Sequence, residues 1–245
     1  VQTCALPIST TGALGILANN LITILYGNSS ADWKITALNG QAGCKAYGAQ
    51  VLNDAYLFDD NGIISLTAVQ SYGNFGTATI TQNLRAFIQA RRTLVTDTVV
   101  NYEKSQFRVF FSDGYGLFAT IINGKFMGAM PVKFLNPVTV CCNGDATNGA
   151  EVTYFGSTDG YVYRMDIGTS FDGQAIDHQI QLAFAFQGSD RVRKRYRKAV
   201  FEVQGDSYVE FSAGWTLAYG DETVVSSVLA TNVTPAYWDT FTWDE

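Results

Sequence analysis

At 245 residues, with 47% hydrophobic and 13% aromatic side chains, the chain has the composition of a packed globular protein rather than a disordered one. A formal net charge of -6 gives no general affinity for nucleic acid, and no apolar run approaches the roughly 18 residues that a membrane-spanning helix needs. The 23 Gly against 4 Pro suit short strands joined by tight turns.

Residues 1–8, VQTCALPI, match the in-frame translation of a sequencing-adapter oligonucleotide and are set apart as an adapter-derived stretch. This reading, with the absence of a stop signal in the closing TPAYWDTFTWDE, leads us to expect a fragment cut at both ends.

From residue 9 to residue 173 one pattern recurs. Leu14–Ala18 and Leu21–Tyr26 flank Asn19-Asn20, and Tyr56–Phe58 and Ile63–Leu66 flank Asp60-Asn61-Gly62. Phe107–Phe111 and Leu117–Ile121 flank Asp113-Gly114. Val152–Phe155 and Tyr161–Met165 flank Ser157-Thr158-Asp159-Gly160. Each pair is rich in β-branched and aromatic residues, and Asn-Gly or Asp-Gly supplies the positive φ of a hairpin turn. The turns are separated by 42 residues from Asn20 to Gly62, 52 to Gly114 and 46 to Gly160. That is the period of a propeller blade, about 40–50 residues, and a blade needs neighbours to cover its faces. The expected fold is all-β: a partial β-propeller of about four hairpin blades over 9–173.

Between the hairpins, Ile35–Leu38 and the stretch from Gly43-Cys44 to Val51-Leu52 read as further β segments. Thr81–Ala90 is the best helical stretch, with Leu84, Phe87 and Ile88 on one face and Thr81 as its cap. Thr93–Tyr102 reads as a strand, while Pro131 and Pro137 place Phe126–Val140 in edge strands or loops. After Gly173 the repeat stops. Ala175–Phe186 alternates, with Ile176, His178, Ile180, Leu182, Phe184 and Phe186 on one face. Ala199–Val203, Tyr208–Phe211 and Thr216–Tyr219 follow as strands. Residues 174–245 are therefore expected to form a β-sandwich-like module, incomplete at its end.

The four cysteines offer no metal-binding spacing. Adjacent Cys141 and Cys142 point to opposite faces of a strand, no C-x-x-C motif occurs, and His178 is the lone histidine. Buried thiols are the expectation for them.

Few residues carry candidate chemistry. Ser112-Asp113-Gly114 and Ser157-Thr158-Asp159-Gly160 resemble the Asp-box turns of sialidase-type propellers, which are structural turns, and no pair of carboxylates can be nominated for glycoside hydrolysis. Asp166, Asp172 and Asp177 could meet around a hard cation, but their spacing is not that of an EF-hand, and two glycines account for the segment as a linker turn. His178 lies on the apolar face of its strand and reads as packed rather than as a general base. Neither a catalytic triad nor a P-loop nor a dinucleotide fingerprint is present. No enzymatic activity, cofactor or metal is expected.

The sharpest electrostatic feature is the stretch 191–198, RVRKRYRK. It places six of the sixteen Lys and Arg of the chain, namely Arg191, Arg193, Lys194, Arg195, Arg197 and Lys198, within eight residues. It reads as a subunit-interface cluster meeting an acidic neighbouring surface, such as the region of Asp54, Asp59 and Asp60, or as a contact to DNA phosphates.

The segments LFDDNGIISLTAVQSYGNFGTATIT, FRVFFSDGYGLFATI, YFGSTDGYVYRMDIGTSFDGQAI, RKRYRKAVFEVQG and YWDTFTWDE together resemble propeller-containing tail proteins of tailed bacteriophages, of the tube, nozzle or stabilisation type. The string from Phe155 to Ile176 is the most specific of them. The resemblance implies a virion component assembled in the bacterial cytoplasm as a homo-oligomeric ring. Its partners would be other tail or portal-adaptor proteins, with non-specific contact to genome DNA in the lumen. It transfers no catalytic residue. The competing functions are a carbohydrate-binding or carbohydrate-active propeller, which requires exposed aromatics over carboxylates, and a WD-type scaffold. The latter fails because Trp238-Asp239 and Trp243-Asp244 stand five residues apart rather than one blade apart.

Overall fold

The computed structural model describes residues 4–8, 13–27, 29–39, 43–66, 80–183, 188, 200–201, 209–217, 222–225 and 229–231, and these are predominantly β. The chain divides into two compact units, Val1–Ile176 and Asp177–Glu245.

Among the described residues, the first unit contains four antiparallel sheets in chain order, each a meander of sequence-adjacent strands. The first holds β1 (Cys4–Ile8), β2 (Ala13–Ala18), β3 (Leu21–Tyr26) and β4 (Lys34–Asn39). The second holds β5 (Ala49–Leu52), β6 (Asp54–Asp59) and β7 (Gly62–Ser65). The third holds β8 (Val95–Asn101), β9 (Gln106–Phe111), β10 (Tyr115–Ile122) and β11 (Lys125–Lys133). The fourth holds β12 (Val138–Asp145), β13 (Glu151–Ser157) and β14 (Val162–Arg164). All four hairpins read from the sequence form. Residues 4–8, set apart above, pair with β2 from Cys4 opposite Leu17 to Ile8 opposite Ala13. Pro7 thus lies on an edge strand, where a missing N–H is tolerated.

The sheets stack face to face because the period of two sends alternate side chains of one strand into two different cores. Leu17 and Ile22 of the first sheet pack with Ala49, Ala55, Leu57 and Ile64 of the second. The opposite face of the second sheet, through Tyr56, Phe58 and Ile63, packs on Phe107, Val109, Phe111, Leu117 and Ala119 of the third. The intervening residues of the third, Val99, Phe110 and Phe118, meet Phe134, Val138 and Met165 on the side of the fourth. β6 and β9 are accordingly buried on both faces, which is why they read as nearly continuous apolar runs. Gly116 of β10 lies against the Phe134 ring, where a Cβ would come within 3.1 Å of it.

The first strands of three sheets lie side by side, with β8 between β5 and β12. Polar side chains join them. Gln50 of β5 donates to the Thr98 carbonyl at 2.9 Å, and the Thr98 hydroxyl donates to the Tyr47 carbonyl. Asp97 of β8 accepts the Cys141 N–H at 2.8 Å. The Asn143 amide donates to the Val100 carbonyl and to Glu151, whose carboxylate accepts the N–H groups of Tyr102 at 3.0 Å and Glu103 at 2.7 Å.

The helical stretch forms as a 3-10 turn, Gln82–Leu84, followed by α1 (Arg85–Arg91), with Ile88 fully buried and Leu84 and Phe87 packed on the same core. Thr81 does not cap it. Its hydroxyl instead accepts the Ile63 N–H at 3.1 Å, while the Ile80 N–H bonds the Ile63 carbonyl, so this segment extends the ladder of β7. The competing partner is a strand N–H, and the residue is lost to the helix end.

In the second unit the described strands are β15 (Val209–Phe211), β16 (Gly214–Leu217), β17 (Glu222–Val225) and β18 (Leu229–Thr231). The β16–β17 pair is nested in sequence between β15 and β18, which also pair. The strand expected from Ala175 does not form over its described part. Residues 175–183 carry no ladder, His178 is exposed rather than packed, and Ile180 and Leu182 stand 87% and 84% exposed. Alternation alone cannot make a strand without an edge to pair with. Its continuation through Phe184 and Phe186 lies outside the described residues.

Candidate functional site

The basic cluster Arg191, Arg193, Lys194, Arg195, Arg197 and Lys198 lies outside the described residues. The acids nominated opposite it do not form a free acidic surface. Asp59 is buried, Asp60 is paired with Lys45 at 2.7 Å, and Asp54 accepts the Ala55 N–H at 2.8 Å and the Ser65 hydroxyl. Burial pushes the Asp59 carboxyl up, outweighing the N–H of Asp60 and the Asn61 amide that favour its charged form.

What the structure brings together instead is a repeated clasp. In the third and fourth sheets the hairpin turns Phe111–Gly114 and Ser157–Gly160 close with the same 3.1 Å bond from the glycine N–H to the residue three before it. Gly114 and Gly160 sit at φ 85° and 88°, the left-handed region that glycine tolerates. In each turn one oxygen of the aspartate accepts the N–H of the tyrosine that follows the glycine: Asp113 from Tyr115 at 3.2 Å and Asp159 from Tyr161 at 3.0 Å. The Ser112 N–H bonds the carbonyl of Leu94, and the Thr158 N–H that of Pro137, each the residue just before the first strand of its own sheet.

The other carboxylate oxygen meets a cationic or amide side chain of that same preceding segment. Asp113 meets Arg91 at 2.7 Å, and Asp159 meets the Asn136 amide at 3.1 Å. In the second sheet the turn residue Asp60 meets Lys45, again just ahead of the first strand. The sequence showed the acidic half of each clasp. The donor half, a Lys, Arg or Asn a few residues before a first strand, carries no signal until the pairing of strands is known.

At the third sheet the guanidinium of Arg91 also lies 4.2 Å from the centroids of both the Phe87 and Tyr115 rings. At the fourth the donor is neutral, and the turn opens on a cleft lined by Phe134, Leu135, Asn136, Phe155, Tyr163 and Asp172. The Tyr163 ring stacks on Phe155 with centroids 5.3 Å apart, and its hydroxyl donates to Asp159 at 2.7 Å. Tyr161 is 67% exposed beside it. The Tyr161 N–H and then the Tyr163 hydroxyl hold the Asp159 carboxyl below its usual range. The bond to Asp159 in turn pushes the Tyr163 hydroxyl up to about 12. Replacing Asp159 by Asn is expected to return the Tyr163 ionisation toward the ordinary tyrosine value of about 10. An NMR titration of ring-labelled tyrosine checks this, and an unchanged midpoint would contradict the bond.

A second charged group is buried between the third and fourth sheets. Arg108 is 1% exposed, pairs with Asp166 at 2.7 Å, donates to Gln106 at 2.8 and 3.0 Å, and lies 4.5 Å over the Phe118 ring. Lys104 reaches the same Asp166 oxygen at 2.9 Å. Burial raises the Asp166 carboxyl, but the bonds from Lys104 and Arg108 outweigh it and leave the group below its ordinary range. Asp166, considered above as a cation ligand, is thus engaged by two cationic side chains of its own chain. Cys141 and Cys142 are free thiols, the first raised by burial and by Asp97, the second exposed.

Each carboxylate of these clasps is ion-paired or accepts several N–H or O–H bonds, an arrangement that holds turns and sheets together and does not poise a proton donor. No protein-family model matches the chain, and comparison with curated proteins finds no relative.

Proposed function

We propose that the first unit is a run of β-propeller blades, the second a β-sandwich-like module, and the chain a structural component of a tailed-phage virion. In this reading it self-assembles into a ring in the tail or the head–tail conduit, beside tail or portal-adaptor proteins and around the exiting DNA. The observation that carries the propeller reading is the stacking of consecutive meanders through three successive cores, with β5, β8 and β12 side by side as the innermost strands of blades lie. The phage reading rests on the resemblance, and its segments fall on equivalent places: LFDDNGIISL spans the β6–β7 hairpin, FRVFFSDGYGLFATI the β9–β10 hairpin, and YFGSTDGYVYRMD the β13–β14 hairpin.

The test is assembly. Mass photometry and electron microscopy of the intact gene product are expected to show closed rings, and the gene is expected to neighbour portal and terminase genes. A product that stays monomeric at tens of micromolar, in a neighbourhood of sugar-utilisation genes, would sink the proposal.

A further inference from the structure

The repeated clasp supplies its own template for a ligand. In the third sheet the turn carboxylate Asp113 is paired with Arg91, which also lies over Phe87 and Tyr115, and in the second Asp60, one place earlier in its turn, is paired with Lys45. At the fourth sheet the equivalent donor is the uncharged Asn136. Asp159 therefore has no cationic partner among the described residues, and nor does Asp172 on the wall of the same cleft. Around them stand aromatic rings: Tyr161 and Tyr163, with Phe155 and Phe171 behind. Two carboxylates beside aromatic faces attract a cation both by charge and through the ring quadrupoles. The cavity is about 50 Å³, far below the roughly 300 Å³ at which small-molecule pockets begin. It suits the planar head of a side chain rather than a sugar ring.

We propose that the cleft beside Asp159 receives an arginine side chain from the basic stretch Arg191–Lys198 of a second copy of this chain. The guanidinium displaces the Asn136 amide from Asp159 and so takes, at the fourth sheet, the place that Arg91 takes at the third. Charge complementarity selects this occupant: Asp172 on the cleft wall and Asp159 beside it have no cationic partner among the described residues, and the stretch concentrates six cations, four of them arginines, in eight residues. The proposal rests on the self-assembly proposed above and names its contact.

The test uses the full chain carrying Arg193→Glu and Arg195→Glu, so that its own basic stretch does not compete, titrated with a synthetic peptide of residues 191–198. Binding is followed through the ring resonances of Tyr161 and Tyr163. Saturable binding is expected, weakened about fivefold by Asp172→Asn, about tenfold by Asp159→Asn with Asp172→Asn, and also when every arginine of the peptide is made lysine. Asp172 is exposed, its carboxylate accepts no hydrogen bond among the described residues, and it sits at a φ of 48° that Asn tolerates, so its variant keeps the fold. Unchanged affinity in Asp172→Asn, or tyrosine resonances unmoved at saturation, overturns the proposal. Assembly of the otherwise unsubstituted chain is read separately. Rings that persist in the Asp159→Asn/Asp172→Asn variant overturn the cleft contact and leave the ring reading standing. Peptide binding without assembly overturns the ring reading, and with it the second copy as donor.

Discussion

Asp166→Asn is expected to destabilise the first unit by about 2–4 kcal/mol at neutral pH, because it strands a buried guanidinium. Arg108 is 1% exposed and has Asp166 as its anionic partner; Gln106, Met165 and the Phe118 ring solvate the rest of its head. The variant Arg108→Met with Asp166→Asn is expected to recover most of the loss, since removing both charges also removes the desolvation cost. The pH dependence fixes the mechanism. The folded-state pKa of Asp166 lies below its ordinary value of 3.8, so its contribution is complete above that value and is lost as the pH falls through the lowered one. Urea unfolding should therefore separate wild type and Asp166→Asn widely at pH 7, with the gap closing below about pH 4. A gap that stays constant down to pH 2 would contradict the assigned ion pair.

Phe111→Ala is the second large effect, at about 3–5 kcal/mol. Phe111 is fully buried where the second and third sheets meet, with edge-to-face contacts to Phe58 at 5.8 Å and Phe87 at 6.1 Å. Its loss removes the centre of that core and loosens α1, which packs on the same cluster through Ile88. Trp33→Ala, at a larger side chain 60% exposed, should change stability by less than about 0.5 kcal/mol. Comparable unfolding midpoints for the two variants would show that face-to-face stacking does not hold the sheets together.

Much of this fold was legible in the chain because hairpins are local. Asn-Gly and Asp-Gly between β-branched and aromatic runs placed the β6–β7, β9–β10 and β13–β14 turns, and the helical spacing of Leu84, Phe87 and Ile88 placed α1. The failures came where a residue's partner is distant. Thr81 looked like a cap because its neighbours form a helix, whereas its hydroxyl completes a strand 18 residues away. His178 looked packed because the stretch alternates, and alternation does not say whether an edge is available. The clasp was half visible: Asp113 and Asp159 stand in recognisable turns, while Arg91 and Asn136 meet them only once the first strand of each sheet is laid beside its hairpin. Arg108 gave no signal, since an arginine in an apolar strand is equally consistent with an edge facing water.

Most of the bonds that join the second, third and fourth sheets along β5, β8 and β12 end on the main chain of the neighbour, the contact of Gln50 with the Thr98 hydroxyl at 3.3 Å being an exception. Gln50 reaches the carbonyl of Thr98 and Asn143 that of Val100, Asp97 takes the N–H of Cys141, and Glu151 those of Tyr102 and Glu103. Every residue offers the same carbonyl, and every residue but proline the same N–H. Apart from Thr98, a sheet joined to its neighbours in this way depends little on their side chains at the joint. Its sequence can drift there, or the whole sheet be duplicated or exchanged by recombination, without a compensating change next door. The apolar faces are the opposite case, since each core is shared by two sheets and a change of volume on one side is felt on the other. The polar joints along β5, β8 and β12 therefore tolerate change more readily than the apolar residues of the same strands, such as Ala49, Val99 and Val138, which belong to the shared cores.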